Sequence, residues 1–145
     1  MELWISSLAI ALSLCFGAPI PSDGSVRDGL KAAKLMQRKM QELNVDRIRK
    51  QQPPLHIGIG LHCGPAVVGN IGSDDRVQYT AIGDTVNVAA RLVSKAAGSQ
   101  IIVSEDIKNA MPDYKGFELL GEVELKGRTG KLNVYSADWL SEPVQ

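Results

Sequence analysis

Residues 78–92 read QYTAIGDTVNVAARL, and this stretch decides the fold of the chain. The β-branched and aromatic residues of Val77–Ile82 predict a strand. Gly83 interrupts that run, and Asp84 is expected to cap a helix that ends near Ala97. The apolar side of this helix is formed by Val86, Val88, Ala89, Leu92 and Val93. The stretch therefore predicts a strand, a tight turn and an amphipathic helix in direct succession.

Upstream, a stripe of apolar residues predicts a long helix. Apolar side chains recur at three- and four-residue steps from Val26 to Leu43, which is typical of one buried helix face. We expect Ser25 to be the N-cap and the helix to end at about Asn44. The segment Asp46–Pro54 is then expected to be a charged linker that ends in proline.

Two short apolar runs, Leu55–Leu61 and Ala66–Ile71, predict two strands joined as a hairpin. Alternation would place His56 and His62 in a strand, and both are too isolated to propose as metal ligands. Five glycines punctuate this region, namely Gly58, Gly60, Gly64, Gly69 and Gly72. Their spacing differs from that of a phosphate-binding loop, so close backbone packing and bulges are favoured over that alternative.

Downstream, Gln100–Val103 predicts a short strand, and Ser104 opens a short helix that Pro112 stops. The runs Phe117–Leu125 and Leu132–Ala137 predict a hairpin. The order of these elements predicts an α+β domain in which helices pack on one face of a mostly antiparallel sheet.

Composition narrows the class of protein. The chain has 145 residues, of which 44% are hydrophobic and 22% charged, values typical of one globular domain. Its 16 basic and 16 acidic residues balance, so we expect no nucleic-acid partner. Cys15 and Cys63 do not suggest a disulfide framework, which favours a reducing, cytoplasmic setting.

The apolar run Trp4–Phe16 is the least typical part of the sequence. No Lys or Arg precedes it, which is unusual for a signal peptide, and it is shorter than the roughly 20 apolar residues that span a bilayer. A buried strand or an irregular N-terminus is favoured, and a signal peptide is the alternative.

Residues 57–92, IGIGLHCGPAVVGNIGSDDRVQYTAIGDTVNVAARL, closely resemble the class III adenylyl and guanylyl cyclases. The family's LKG and FGAP motifs are matched at Leu125–Gly127 and Phe16–Pro19. The resemblance implies the ferredoxin-like fold of that family, incomplete on its N-terminal side. It divides the chain into an atypical apolar segment (1–15), a partial catalytic domain (16–137) and a tail (138–145).

The resemblance also implies a reaction and its site residues. In this family the ribose 3′-hydroxyl attacks the α-phosphorus and pyrophosphate leaves, producing a cyclic nucleotide. Arg91 would meet the charge that builds on the α-phosphate, and Asn87 would orient the ribose. Because the two residues stand four apart on a helix, they should share one face.

Thr80 stands where the family reads the purine edge. Many adenylyl cyclases carry Asp at this position, and others, bacterial ones included, carry Thr. The resemblance therefore favours ATP, and because a hydroxyl can donate or accept a hydrogen bond it does not exclude GTP. An ordinary strand threonine is the alternative. Lys131 lies near a family position that contacts the terminal phosphates, but we expect a solvated turn lysine there.

Family members bind two divalent metal ions, Mg²⁺ or Mn²⁺, through two aspartates. The residues before the FGAP motif read SLAIALSL, and Glu2 is the only acidic residue between Met1 and Ser22. We therefore expect the metal ligands to be absent from this chain. The first strand and helices of the family's domain are also missing, and a truncated copy is favoured over a short protein that lost its metal site.

The class III site lies between two catalytic domains, one providing the aspartates and the other the Asn and Arg. The resemblance thus implies a homodimer or a heterodimer with another cyclase domain, and we expect this chain to be inactive alone. A non-catalytic regulatory or dimerisation module is the alternative function, and a misfolded fragment is a third possibility.

Overall fold

A computed structural model of the chain describes residues 2–7, 10–18, 20, 22–73, 76–124 and 130–141. The strands are β1 (Glu2–Ser7), β2 (Ile10–Cys15), β3 (Gly58–His62), β4 (Val67–Ser73), β5 (Arg76–Ile82), β6 (Ile101–Ser104), β7 (Phe117–Glu124) and β8 (Lys131–Ala137). The helices are α1 (Ser25–Arg49), α2 (Asp84–Lys95) and α3 (Glu105–Ala110).

Six strands form one sheet in the order β2-β1-β3-β6-β8-β7. The β3–β6 pair is parallel, and the other neighbours are antiparallel. Strands β4 and β5 pair separately as an antiparallel hairpin. The expected α+β class with a mostly antiparallel sheet is therefore confirmed.

The helices lie on both faces of the sheet, so the expectation of a single covered face is wrong. Ile101 and Val103 of β6 pack in one core cluster with Leu30 of α1. Ile102, which lies between them in the strand, packs in a second cluster with Leu92 of α2. Successive strand residues point to opposite faces, so α1 and α2 cover different sides. A continuous apolar run such as β6 is typical of a strand that is buried on both faces.

The predicted hairpin between the second and third apolar runs does not form. Strand β3 pairs with β1 on one edge and with β6 on the other, so neither edge is available to β4. Strand β4 instead pairs with β5, from Val67 opposite Ile82 to Ser73 opposite Arg76. The buried residues of β3 are consistent with its position inside the sheet.

The apolar N-terminal run forms two strands, where the sequence predicted one strand or irregular chain. Residues 2–7 lie between β2 and β3, and residues 10–15 form the edge of the sheet. In the part of the chain that the structure describes, no helix is both long and apolar enough to cross a membrane. Cys15 and Cys63 are not joined by a disulfide.

Both long helices begin one residue earlier than expected, and α1 also ends later than expected. Helix α1 starts at Ser25 with Gly24 as its N-cap, and it continues through the expected linker to Arg49. Two features of the charged segment favour the helix. Arg49 Nη1 lies 3.6 Å from Asp46 Oδ1 as an i,i+3 ion pair, and the basic residues of the last turn complement the helix dipole. Helix α2 is capped by Gly83, with Asp84 already in its first turn.

Candidate functional site

Helix α2 carries most of the candidate site, and glycines hold it close to the sheet. A Cβ added at Gly60 of β3 would lie 2.7 Å from the backbone nitrogen of Val93 and 3.0 Å from the carbonyl oxygen of Ala89. A Cβ at Gly58 would lie 3.0 Å from that of Ala96. At Gly69, by contrast, nothing lies within 4 Å. The glycines of β3 therefore allow the backbone of α2 to approach the strand closely.

The start of α2 is tied to the chain segment between β3 and β4. Gly83 has a φ of 140°, a conformation that favours glycine. Two residues later, the buried Thr85 donates a hydrogen bond through Oγ1 to the carbonyl oxygen of Pro65. The backbone conformation of Gly83 and the hydrogen bond of Thr85 together fix where the first turn of α2 begins.

One face of α2 is buried. The opposite face, called the cleft below, is a shallow and open surface region of about 700 Å³, and among the described residues only those of α2 line it. The buried side chains are Thr85, Val88, Ala89, Leu92 and Val93. The cleft is lined by Asn87, Ala90, Arg91, Ser94 and Lys95. Asn87 is exposed and Arg91 is half-buried. The structure thus brings Asn87 and Arg91 into one cleft, as their spacing predicted, while their chemical roles stay predictions.

The cleft carries positive charge. Among the described residues, neither Arg91 nor Lys95 forms an ion pair with a carboxylate. The Ser94 hydroxyl donates to the carbonyl oxygen of Arg91 at 2.7 Å, so it is held on the helix backbone. Sequence reasoning missed Ser94 and Lys95, although Lys95 stands four residues after Arg91 and the same spacing rule would have found it.

Two other predicted positions lie on strands. Thr80 is in β5, opposite Gly69 of β4. Lys131 is the first residue of β8 and not a turn residue; its exposed Nζ lies 2.9 Å from Oε2 of Glu122. The hydrogen bond to Glu122 raises the pKa of Lys131 above its ordinary value. The Leu125–Gly127 motif lies outside the described residues.

The two histidines differ in their surroundings. His56 lies before β3, not in a strand as predicted, and its Nδ1 is 3.0 Å from Oγ of Ser99. His62 ends β3 and is buried, with Nδ1 2.8 Å from Oγ of Ser104 and 3.6 Å from Oδ2 of Asp106. Burial, with the nearby Asp106 charge, raises the pKa of the adjacent Cys63 thiol.

The described residues do not fit the pair of metal ions that the resemblance implies. No group of three or more His, Cys, Asp or Glu side chains among them could hold a metal ion. The strand that precedes Phe16 reads IALSLC and has no carboxylate. No catalytic step through a metal ion is therefore assigned to this chain's own residues.

The chain is similar in sequence to known nucleotide cyclases. The family described as Adenylate and Guanylate cyclase catalytic domain matches residues 13–138. Adenylate cyclase 1 of Rhizobium meliloti is 32% identical over 122 residues, which is 83% of this chain and 18% of that protein. The rat guanylate cyclase soluble subunit beta-2 is 39% identical over 84 residues, which is 57% of this chain and 12% of that protein.

Solved structures agree with this assignment. The adenylyl cyclase CyaB from P. aeruginosa superposes with a TM-score of 0.85 at 25% identity, covering 99% of this chain and 74% of that one. The guanylyl cyclase Cya2 superposes with a TM-score of 0.81 at 27% identity, and the match covers 98% of this chain and 72% of that one. The chain spans less than a quarter of the length of the curated relatives described above. The chain belongs to the family of class III adenylate and guanylate cyclase catalytic domains.

Proposed function

We propose that this chain supplies one half of a nucleotide-cyclising site, and that the site converts ATP to cyclic AMP and pyrophosphate. The observation that supports this proposal is the cleft on α2, where Asn87 and Arg91 stand one helical turn apart. Thr80 supports ATP over GTP through the resemblance alone, because it stands where the family reads the purine edge and where some adenylyl cyclases carry Thr.

Arg91 is the catalytic residue of this half-site. Its guanidinium has several N–H donors in a fixed plane and no carboxylate partner within the described part of the chain, so it can bind phosphate oxygens directly. As the 3′-oxygen bonds to the α-phosphorus, negative charge grows on the phosphate oxygens, and a positioned cation stabilises it. Asn87 would hold the ribose so that the attacking oxygen is in line with the leaving pyrophosphate.

The other half of the site would come from a second cyclase domain that holds the Mg²⁺ or Mn²⁺ ions. In a homodimer each chain would repeat Asn87 and Arg91, and the strand before Phe16 would supply no carboxylate from either copy. A heterodimer with a cyclase domain that carries the metal-binding aspartates would complete the site. We therefore expect the isolated chain to be inactive.

Complementation tests this proposal. The chain is mixed with a cyclase domain whose own Asn and Arg have been replaced, and cyclic AMP formation from ATP is measured. We expect activity in the mixture only, and a fall of about 10²–10³-fold in kcat with Arg91→Ala, as for the loss of a transition-state donor. Arg49→Ala is the matched control, because Arg49 is an exposed helical arginine far along the chain from α2. Cyclic AMP from the chain alone would show that the expected inactivity is wrong.

A non-catalytic regulatory or dimerisation module is the second candidate. The observation that favours it is the β4–β5 hairpin, where the directly opposed Val67 and Ile82 are 67% and 50% exposed. A partner that covers these two side chains would remove exposed apolar surface from water. In this case the chain would change the activity of an intact cyclase domain, and Arg91→Ala would leave that change unaltered.

A further inference from the structure

Helix α2 contacts the rest of the domain at two separate levels. Around residues 89–93, which include Arg91, the glycines of β3 allow the helix backbone to approach the sheet closely. At the start of the helix, Thr85 Oγ1 donates a hydrogen bond to the carbonyl oxygen of Pro65. Asn87 lies two residues after Thr85 and belongs to the same first turn. The turn that carries Asn87 therefore has an anchor of its own.

The hydrogen bond of Thr85 joins the helix to a segment that is distant in sequence. A threonine in a helix commonly bonds to a carbonyl three or four residues earlier in the same helix. Pro65 instead lies 20 residues before Thr85, in the segment between β3 and β4. Thr85 is 4% exposed, so its hydroxyl has little access to water as an alternative partner. The bond thus holds the first turn of α2 against another part of the domain.

Other contacts of the first turn make this bond important. The N-cap is Gly83, which has no side chain that could accept a hydrogen bond from the helix start. The backbone nitrogen of Asn87 lies 3.4 Å from the carbonyl oxygen of Gly83, which is long for a hydrogen bond. A Cβ added at Gly64 would lie 2.7 Å from Thr85 Oγ1, so glycine leaves room for the hydroxyl. The position of the first turn therefore depends on the contact of Thr85 with residues 64–65.

The same bond lies at the open end of the β4–β5 hairpin. Val67 and Ile82 are the last opposed residues of this hairpin. Pro65 precedes Val67 and Thr85 follows Ile82, so their hydrogen bond joins the two chains just beyond the strand pair. Strand β5 also carries Thr80. In the proposed function β5 reads the base and α2 orients the ribose, and the bond joins these two parts of the site.

We propose that Thr85 is a positioning residue for Asn87, and that its hydrogen bond to Pro65 aligns the ribose for attack on the α-phosphorus. This inference rests on the proposed function, because it takes the role of Asn87 from it. Thr85 lies on the buried face of α2 and Asn87 on the opposite face, so Thr85 acts through the helix and does not touch the substrate. A displacement of about 1 Å at a distance from the reacting atoms can lower a rate about 100-fold.

The test is the complementation assay, with kcat and KM for ATP determined separately. Thr85→Val keeps the shape of the side chain and removes the donor. We expect its kcat to fall about tenfold and its KM to stay within about threefold, because alignment affects the transition state more than binding. Thr85→Ser keeps the hydroxyl and should retain most of kcat. Gly64→Ala leaves Thr85 unaltered but displaces its hydroxyl, so its kcat should fall as well.

Trp139→Phe is the matched control for a general loss of stability. It also removes a hydrogen bond from a side chain to a backbone carbonyl, in the turn after α2 instead of at the start of the helix. We expect Trp139→Phe to unfold at a lower urea concentration than the unaltered chain and to keep its kcat. Urea unfolding of every variant identifies conditions in which all of them are folded, and kcat is compared there.

The outcomes separate the positioning role from the half-site proposal. If Thr85→Val keeps the kcat of the unaltered chain, or if Trp139→Phe lowers kcat by the same factor, Thr85 does not position Asn87 and the half-site proposal stands. A raised KM at unchanged kcat in Thr85→Val has the same meaning. If the mixture with the unaltered chain forms no cyclic AMP, both proposals fail.

Discussion

At the scale of single residues, the most unusual group is the buried lysine of α1. Lys34 is 3% exposed, and its Nζ donates to the Tyr114 hydroxyl at 3.1 Å. Burial lowers the pKa of Lys34 below its ordinary 10.5, against the opposing effect of Asp138. Burial also raises the pKa of Tyr114 above its ordinary 10.0. The charged ammonium of Lys34 therefore destabilises the folded state.

We expect Lys34→Met to stabilise the fold by about 1 kcal/mol at pH 7, since an apolar side chain of similar length removes the desolvation cost. Between the lowered folded-state pKa and 10.5, the unfolded chain binds more protons than the folded chain at Lys34. In this pH range the contribution of Lys34 to the free energy of unfolding therefore increases with pH, and Lys34→Met should not show this increase. Urea unfolding from pH 7 up to the ordinary lysine pKa of 10.5 measures both effects.

Lys39→Met is the control, because Lys39 is exposed on the same helix and pairs with Glu42. Its stability should change little and its pH dependence should match that of the unaltered chain. A Lys34→Met variant that keeps the full pH dependence would show that another group causes it.

At the scale of elements, the contact of α2 with β3 determines where the cleft lies. We expect Gly60→Ala to destabilise the fold by about 2–3 kcal/mol, because the new methyl group would overlap the backbone of α2 and push the helix from the sheet. Asn87 and Arg91 would move with it, so complementation should fall as well. Urea unfolding and cyclic AMP formation measure the two consequences.

Gly69→Ala is the matched control in β4, the next strand along the chain, because nothing lies within 4 Å of its added Cβ. Its stability should stay within about 0.5 kcal/mol of the unaltered chain. If Gly60→Ala proves as stable as Gly69→Ala, the close approach of α2 to β3 is not required for the fold.

At the scale of the whole molecule, the segment after β8 connects parts that are distant in sequence. The Arg38 guanidinium of α1 donates to the carbonyl oxygens of Trp139 and Ser141, at 3.3 and 2.7 Å. Trp139 Nε1 donates to the carbonyl oxygen of Ser99 at 2.8 Å. Residues 138–141 therefore join α1 to the turn between α2 and β6.

We expect Trp139→Phe to lower the free energy of unfolding by about 1 kcal/mol, since the ring is largely kept and one hydrogen bond is lost. Hydrogen exchange should quicken both in α1 and around Ser99. Leu140→Ala is the control, because Leu140 is 72% exposed and its loss should be nearly neutral. If hydrogen exchange became faster only in α1 or only around Ser99, Trp139 would not connect these two regions.

Local patterns predicted the placement of Asn87 and Arg91 on one helix face better than they predicted the strand pairing around them. The spacing of Asn87 and Arg91 was sufficient to place them on one face, because helical periodicity is a property of neighbouring residues. The extension of α1 to Arg49 was missed because its charges were interpreted as a linker. Lys95 was missed although the same periodicity includes it.

The amino-acid pattern is sufficient to indicate the family of this protein and to predict the strand, turn and helix of residues 78–92. The pairing of β3 with β1 and β6, and the positions of α1 and α2 on opposite faces of the sheet, are visible only in the folded molecule. The physical reason is that a strand's partners are decided by competition among all available edges, while the turn and periodicity of a helix depend on residues within a few positions.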